Sequence, residues 1–305
     1  MNESPFINGW LADQEQTDRE MLFGDPGDGL IVVSASEAVT KIEEAAKTPI
    51  VTHPWRMAEQ LHQQQDCVYK RLTTYNQDAN NCAAQGTSKA VDAFMLISAW
   101  QASRKELTPF ETYVPWIYGV GKNDAGNYGD NGATMGSMMR LITRRGVLPT
   151  DTPGLPPYAG TSRKWCQRYG NADQATKAPF YPFLGEAKQY IVTAAELPKD
   201  PELFKLTCKG GYSIAFGTKQ RIRINGSGEK RRWSASGSWM HSLAAYGYDE
   251  ELDAVGVDNS HGDGFAWADT DVIRAIVKAG YFDAFVILDI QPRPGKADWS
   301  TVGRN

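Results

Sequence analysis

The chain has 305 residues, 41% of them apolar and 22% charged, with a formal net charge of -4. That length can bury a sizeable core as one large domain or two modest ones. The slight acidity gives no reason to expect nucleic acid or an anionic membrane as partner, and no apolar run approaches the length of a bilayer span.

Residues 1–50 read as an N-terminal extension or arm. The opening Met1-Asn-Glu-Ser-Pro has neither a basic nor an apolar leader region, so the expected location is cytoplasmic. Phe23–Gly29 is a turn cluster, and Leu30–Val33 has strand character. Ser34 or Ser36 can cap a helix from Glu37 to about Lys47, which Pro49 then ends. The arm has enough apolar residues to dock on its own chain, on a neighbouring subunit or in a cleft. A second short helix is expected from His53 to Gln65.

The polar run Tyr75-Asn-Gln-Asp-Ala-Asn-Asn-Cys-Ala-Ala-Gln-Gly86 leads straight into an apolar pattern at helical spacing. Ala90, Val91, Phe94, Met95 and Ile97 predict a helix with a buried face, running to about Arg104. Residues 108–129 are rich in Tyr, Trp, Pro and Gly and read as irregular loop. After Gly129-Asp-Asn-Gly-Ala133, the residues Met135, Met138, Met139, Leu141 and Ile142 predict a second buried helix face. It ends at Arg144-Arg-Gly146 with a glycine cap.

Pro and Gly in 149–160 mark a linker. A helix is expected over Asp200–Lys209, and beyond it the hydrophobic period falls to two. Tyr212–Phe216 reads as a strand. Gln220–Ile224 and Glu229–Trp233 form a hairpin around Asn225-Gly-Ser-Gly228, whose Lys and Arg read as a solvated face. Trp239–Tyr248 is a strand containing His241. Leu252–Val257 is another, with Asn259 just past its end, and Phe282–Ile290 is a late buried strand. This organisation predicts an α+β fold with two subdomains and a cleft between them. The helical subdomain is 51–160, the β-rich one 161–295, and 296–305 is a tail.

The four cysteines, Cys67, Cys82, Cys166 and Cys208, contain no Cys-x-x-Cys. That argues against a zinc module or a dense disulfide framework, and no metal or cofactor is expected. Cys82 falls at the start of the long helix, where unpaired amides and the macrodipole favour thiolate over thiol. A small buried hydrophobe is the plainer reading of the same residue. A thiol nucleophile needs a base, and the base an orienting group. Of the four histidines, His53, His62, His241 and His261, only His241 lies inside an apolar strand pattern.

The order Gln77, Cys82, His241, Asn259 resembles that of the papain family of cysteine peptidases, in a divergent bacterial or phage-type form. His241-Ser-Leu-Ala-Ala-Tyr-Gly-Tyr248 looks like the family's His segment, and Asn259-Ser-His-Gly262 like its Asn-Ser-Trp-Gly. Gly129–Thr134 resembles its glycine-containing substrate segment and Phe180-Tyr-Pro-Phe183 its Tyr-Pro-Tyr stretch. The likeness covers roughly residues 55–290 and implies a helical N-terminal half and an antiparallel β-barrel-like C-terminal half with a cleft between.

The resemblance implies Cys82 as nucleophile, His241 as acid and base, Asn259 as its orienter and Gln77 as part of an oxyanion hole. Asn131, Gly132 and Ala133 would bind the substrate backbone, the substrate being a peptide or protein. A thiolate–imidazolium pair would depress the thiol pKa from ~8.5 to ~4.

The chain departs from the family in several places. Ala83 stands where the family has Trp after Cys, and His261 where it has Trp after Asn-Ser. Gln77 is one residue nearer the Cys than the pattern has it. The family's disulfides have no counterpart, and 1–50 is short for its pro-segment. These departures keep a second reading open, an assembly or virion-associated protein that retains the fold with weak or no activity. A transglutaminase-type acyltransferase using Asp249, Asp253 or Asp258, and a zinc site from Cys82, His241 and His261, are weaker alternatives.

Overall fold

A computed structural model describes residues 33–50, 57, 77, 80–101, 107–124, 132–155, 181–228, 230–261, 264–290 and 293–294. The helices are α1 (Ala35–Ala46), α2 (Cys82–Gln101), α3 (Val114–Asp124), α4 (Met135–Arg144), α5 (Pro201–Lys209) and α6 (Thr270–Lys278), with short helical turns over 181–190. The strands are β1 (Leu107–Thr108), β2 (Val192–Glu196), β3 (Ser213–Asn225), β4 (Arg232–Asp249), β5 (Ala254–Asn259), β6 (Gly264–Ala268), β7 (Phe282–Ile290) and β8 (Arg293–Pro294). The fold class is α+β.

α2 is the axis of the molecule. Every residue from Cys82 to Ile97 is buried, charged Lys89 and Asp92 included. A helix buried all round must have partners on every side. It packs on α3 and α4 on one side and on β3, β4 and β7 on the other. Gly86 permits the closest approach. A Cβ there would stand 2.8 Å from the Leu243 carbonyl oxygen of β4. Lower down, the Ser213 hydroxyl donates to the Ala90 carbonyl at 2.6 Å and ties the start of β3 to the helix.

The main sheet has six strands in the order β2-β7-β3-β4-β5-β6. Alternation along β4 sends Ala244 and Tyr246 to the core shared with α2–α4. It sends Leu243 and Ala245 to a second core under α1, α5 and α6. In that second core Phe204 meets Phe216 edge-on at 5.3 Å. Burying each such ring is worth about 1.5–3 kcal/mol. The expected barrel is not closed. β6 makes only one parallel pair back to the first residue of β4, Arg232 with Trp267, and the sheet stays open from there to β2.

Several expectations meet the structure directly. Ser34 caps α1, accepting from the Glu37 amide at 3.2 Å. The helix expected after Ala133 forms as α4, where Thr134 accepts from the Ser137 amide at 3.0 Å. Gly146 ends α4 at φ 81°, beside the Ala187 carbonyl where no Cβ fits. Asp200 caps α5, and β7 has the expected bounds. The presumed arm, in its described part, docks on its own chain: Val33, Ala38 and Ile42 join Leu203, Phe204 and Cys208 in the second core. The expected strand 30–33, apart from Val33, and the helix from His53 lie outside the described residues.

Three readings are corrected. Residues 114–124 are a helix, not loop. Pro115 sits in its first turn, where a missing N–H costs nothing. The Trp116 indole donates to the Gly146 carbonyl at 2.9 Å, so tertiary burial overrides the poor local propensity. The outer hairpin and the His241 strand are one structure, because β4 runs unbroken through 18 residues. Asn259 is the last residue of β5, paired with Gly264 of β6, rather than a residue beyond the strand.

Candidate active site

Three elements converge at the buried end of α2. The helix brings Cys82, β4 brings His241 and Ser242, and β5 brings Asn259, with Ser260 just past its end. Cys82, His241 and Ser242 are 0% exposed and Asn259 is 1% exposed. The Cys82 sulfur lies against the backbone amide and hydroxyl of Ser242, the residue next to His241. His241 Nε2 and Asn259 Oδ1 are 2.7 Å apart. An amide oxygen only accepts, so Nε2 carries the proton of that bond. Nδ1 is then the nitrogen that can exchange a proton elsewhere.

Burial dominates the electrostatics of the sulfur. It pushes the Cys82 thiol up to about 12, and the Ser242, Ala83 and Cys82 amides with the Ser242 hydroxyl pull it back only in part. The expected depressed thiol is therefore not what this closed arrangement produces. Desolvation of the anion outweighs the helix terminus.

Gln77 reaches the same corner. Its amide donates to the Ser260 carbonyl at 2.8 Å, and its side-chain oxygen accepts from the Ser260 hydroxyl. That second bond fixes which end of the side-chain amide is turned away from Ser260: the NH2 donor. In the same corner lies a cavity of about 10 Å³, lined by Gln85, Gly86, Lys89, Ser242, Leu243, Asp258, Asn259 and Ser260. It is water-sized.

The three aspartates weighed as alternative orienters all have other partners. Asp249 accepts from the Leu252 amide at 2.9 Å. Asp253 meets Lys205 and the Tyr248 hydroxyl, both at 2.6 Å, and Asp258 accepts from the Tyr246 hydroxyl at 2.7 Å. His241 is bonded to the asparagine. Among the described residues no group of three or more His, Cys, Asp or Glu could hold a metal ion, and no described helix is long and apolar enough to cross a membrane.

Of the expected substrate residues, Asn131 lies outside the described residues. Gly132 and Ala133 are buried just ahead of the Thr134 cap. A larger pocket of about 600 Å³ sits at the other end of α2, between Phe94, Trp100, Tyr212 and Leu288. Its lining contains no His or Cys, which separates it from the site above.

No family model matches the sequence, and no curated protein does either. Solved structures do. Xylellain, a cysteine protease from Xylella fastidiosa, superposes with a TM-score of 0.54 at 17% identity, covering 92% of this chain and 95% of that one. The fold is that of the papain-like cysteine proteases. More distant likenesses include the SERA5 proenzyme of Plasmodium falciparum, with a TM-score of 0.47, 11% identity and coverage of 83% and 73%. Procathepsin B S9 of Trypanosoma congolense has a TM-score of 0.44, 12% identity and coverage of 96% and 100%.

Within this papain-like fold, the sequence reading missed Ser242, Ser260, Lys89 and Trp239. Ser242 and Ser260 each follow a residue that was singled out, so their neighbourhood was legible. Lys89 was hidden because a lysine inside a helical pattern reads as surface. Trp239 was passed over, though its position two residues before His241 puts it on the same strand face.

Proposed function

We propose that this chain is a cysteine peptidase or amide hydrolase with a Cys82, His241, Asn259 triad. The observation that carries the reading is the buried 2.7 Å bond from His241 Nε2 to Asn259 Oδ1, with the Cys82 sulfur against the next residue, Ser242. That bond fixes the tautomer and leaves Nδ1 for the thiol, which is the role of the third group in a nucleophile–base–orienter set.

The buried thiol favours its protonated form, so the base acts during attack. His241 Nδ1 takes the Cys82 proton as the sulfur bonds to the substrate carbonyl carbon. The carbonyl oxygen becomes an oxyanion, held by the Cys82 backbone N–H and the Gln77 side-chain NH2. Each such donor is worth roughly 3 kcal/mol in the transition state. As the C–N bond breaks, His241 returns the proton to the leaving amine and a thioester remains. Water, deprotonated by His241, then releases the acid and restores the thiol. Asn131, Gly132 and Ala133 are proposed to pair with the substrate backbone, and the substrate is a peptide or protein. The same steps need no metal and no cofactor.

A peptide-library hydrolysis assay on the full chain tests this. Cleavage that disappears in Cys82→Ala and His241→Ala supports it. An inert wild-type chain with an unreactive Cys82 moves the assignment to an assembly role for the fold.

A further inference from the structure

The outer β3–β4 hairpin carries a charge opposite to that of the whole chain. Its cations are Lys219, Arg221, Arg223, Lys230, Arg231 and Arg232 and its one acid is Glu229, in a protein of net charge -4. Alternation along β3 sorts them. Ile214, Phe216 and Ile222 join the second core, while Ala215 joins the core around α2. Both register shifts here put the extra residue in β4, since Thr218, Gln220 and Ile222 pair with His241, Ser238 and Ala235. The alternation of β3 is therefore unbroken, and Lys219, Arg221 and Arg223 fall on the α2 side of the sheet. All three are exposed, because α2 begins at Cys82 and leaves them uncovered. The Cys82 sulfur lies against Ser242, which pairs with Gly217. Lys219, Arg221 and Arg223 thus continue the face that meets the thiol, about 7, 14 and 20 Å further out at the rise of a strand.

Among the described residues no carboxylate pairs with any of the three side chains. The platform beneath them is fixed. Trp233 is buried on its other face and donates from its indole to the Val257 carbonyl at 2.9 Å, and Arg231 donates to the Phe265 carbonyl. A row of unpaired cations on a rigid strand is already arranged for an anionic partner. We propose that this row recognises acidic peptides, and that it selects substrates carrying Asp or Glu at every second position on one side of the scissile bond. Same-side residues of an extended peptide repeat at about 7 Å, which is the spacing of the row. With the scissile bond at Cys82, the first acid stands about two residues away. Exposed pairs of this kind give specificity and encounter rate, and salt weakens them. As a statement about substrate this rests on the peptidase reading; as a statement about binding it does not.

The test is therefore made on binding first, in the full chain as Cys82→Ala, which holds peptide without turnover. A fluorescein-labelled decapeptide alternating Glu and Ala is titrated by fluorescence anisotropy, beside one alternating Gln and Ala. The titrations are repeated with Lys219→Gln, Arg221→Gln and Arg223→Gln combined. A control combines Lys188→Gln, Lys199→Gln and Lys278→Gln, which removes three exposed charges elsewhere. The Glu peptide is expected to bind about tenfold tighter than the Gln peptide, to lose that advantage in the hairpin variant and to keep it in the control. High salt should remove it as well. Should the combined hairpin variant melt early, Arg221→Gln and Arg223→Gln taken singly decide. Equal affinity for the two peptides, or equal losses in the hairpin and control variants, overturns the proposal. So does single-stranded DNA of matched charge binding tighter than the Glu peptide, which would mark a nucleic-acid surface instead. With Cys82 intact, an acidic flank is expected to raise kcat/KM, and the hairpin variant to lack that gain. If nothing is hydrolysed while the binding pattern holds, the peptidase reading fails and the acidic-peptide surface stands. If peptides are hydrolysed without regard to the flank, the peptidase reading stands and the substrate selection falls.

Discussion

Cys82 and Cys208 are both free, both fully buried and both on helices, yet their surroundings differ in kind. Cys208 lies in the last turn of α5, against Phe204 and the second core. Burial raises its pKa above the ordinary thiol range, and nothing opposes that. A helix C-terminus also disfavours an anion. Cys82 is the first residue of α2, and backbone amides of Ser242, Ala83 and Cys82 oppose the effect of burial on its sulfur. Burial still wins, at about 12, but it wins against opposition. The difference teaches that burial sets the direction for both thiols, while the polar partners decide which one a base can use.

The sharpest way to break the comparison is to exchange the roles. Cys82→Ala is expected to abolish hydrolysis, and Cys208→Ala to leave kcat/KM within about twofold, because the proposed pair is Cys82 with His241 while Cys208 lies in the second core. Steady-state kinetics on a peptide substrate checks both. Next in size is His241→Ala, expected to lower kcat/KM by about a thousandfold or more. The same change should bring the alkylation rate of Cys82 down to that of Cys208.

Gly86→Ala acts through distance. Its Cβ would meet the Leu243 carbonyl at 2.8 Å, so α2 must move off β4 and carry Cys82 with it. A misplacement of about 1 Å costs about a hundredfold in rate. A melting temperature several degrees lower should accompany it.

The smallest effect concerns a third buried acid, one on the same helix as Cys82. Burial raises Asp92 to about 8, Lys89 lowers it, Glu111 raises it and the Thr112 amide lowers it, from an ordinary 3.8. The native state thus binds a proton that the unfolded chain has released. The stability this contributes is fully present below about pH 4 and is lost as pH rises through about 8. Asp92→Asn should flatten the fall in melting temperature between those limits, by a few degrees at the upper end. Calorimetry across pH measures it.

How much was legible follows the same division. Periodic stretches with clear caps were read closely: α4 between Thr134 and Gly146, α5 behind Asp200, and β7. α3 was not, because Val114-Pro-Trp-Ile-Tyr-Gly-Val-Gly has weak helix propensity and owes its form to packing around Trp116. β6 and α6 were not read from the sequence. The order of Cys82, His241 and Asn259 was visible, and the structure brings their elements together. The thiol's direction of shift was misjudged, because an argument from the helix terminus sees the local amides and not the complete burial that tertiary packing imposes.

The most direct measurement is site-resolved alkylation of the native protein. Limiting iodoacetamide is applied from pH 6 to 9, with every cysteine mapped by mass spectrometry, in wild type and His241→Ala. The expected result is Cys82 labelling at least about tenfold faster than Cys208 in wild type, with that advantage gone when His241 is removed. Equal labelling of the two thiols in wild type, or a Cys82 advantage that survives His241→Ala, contradicts the proposed nucleophile–base pair.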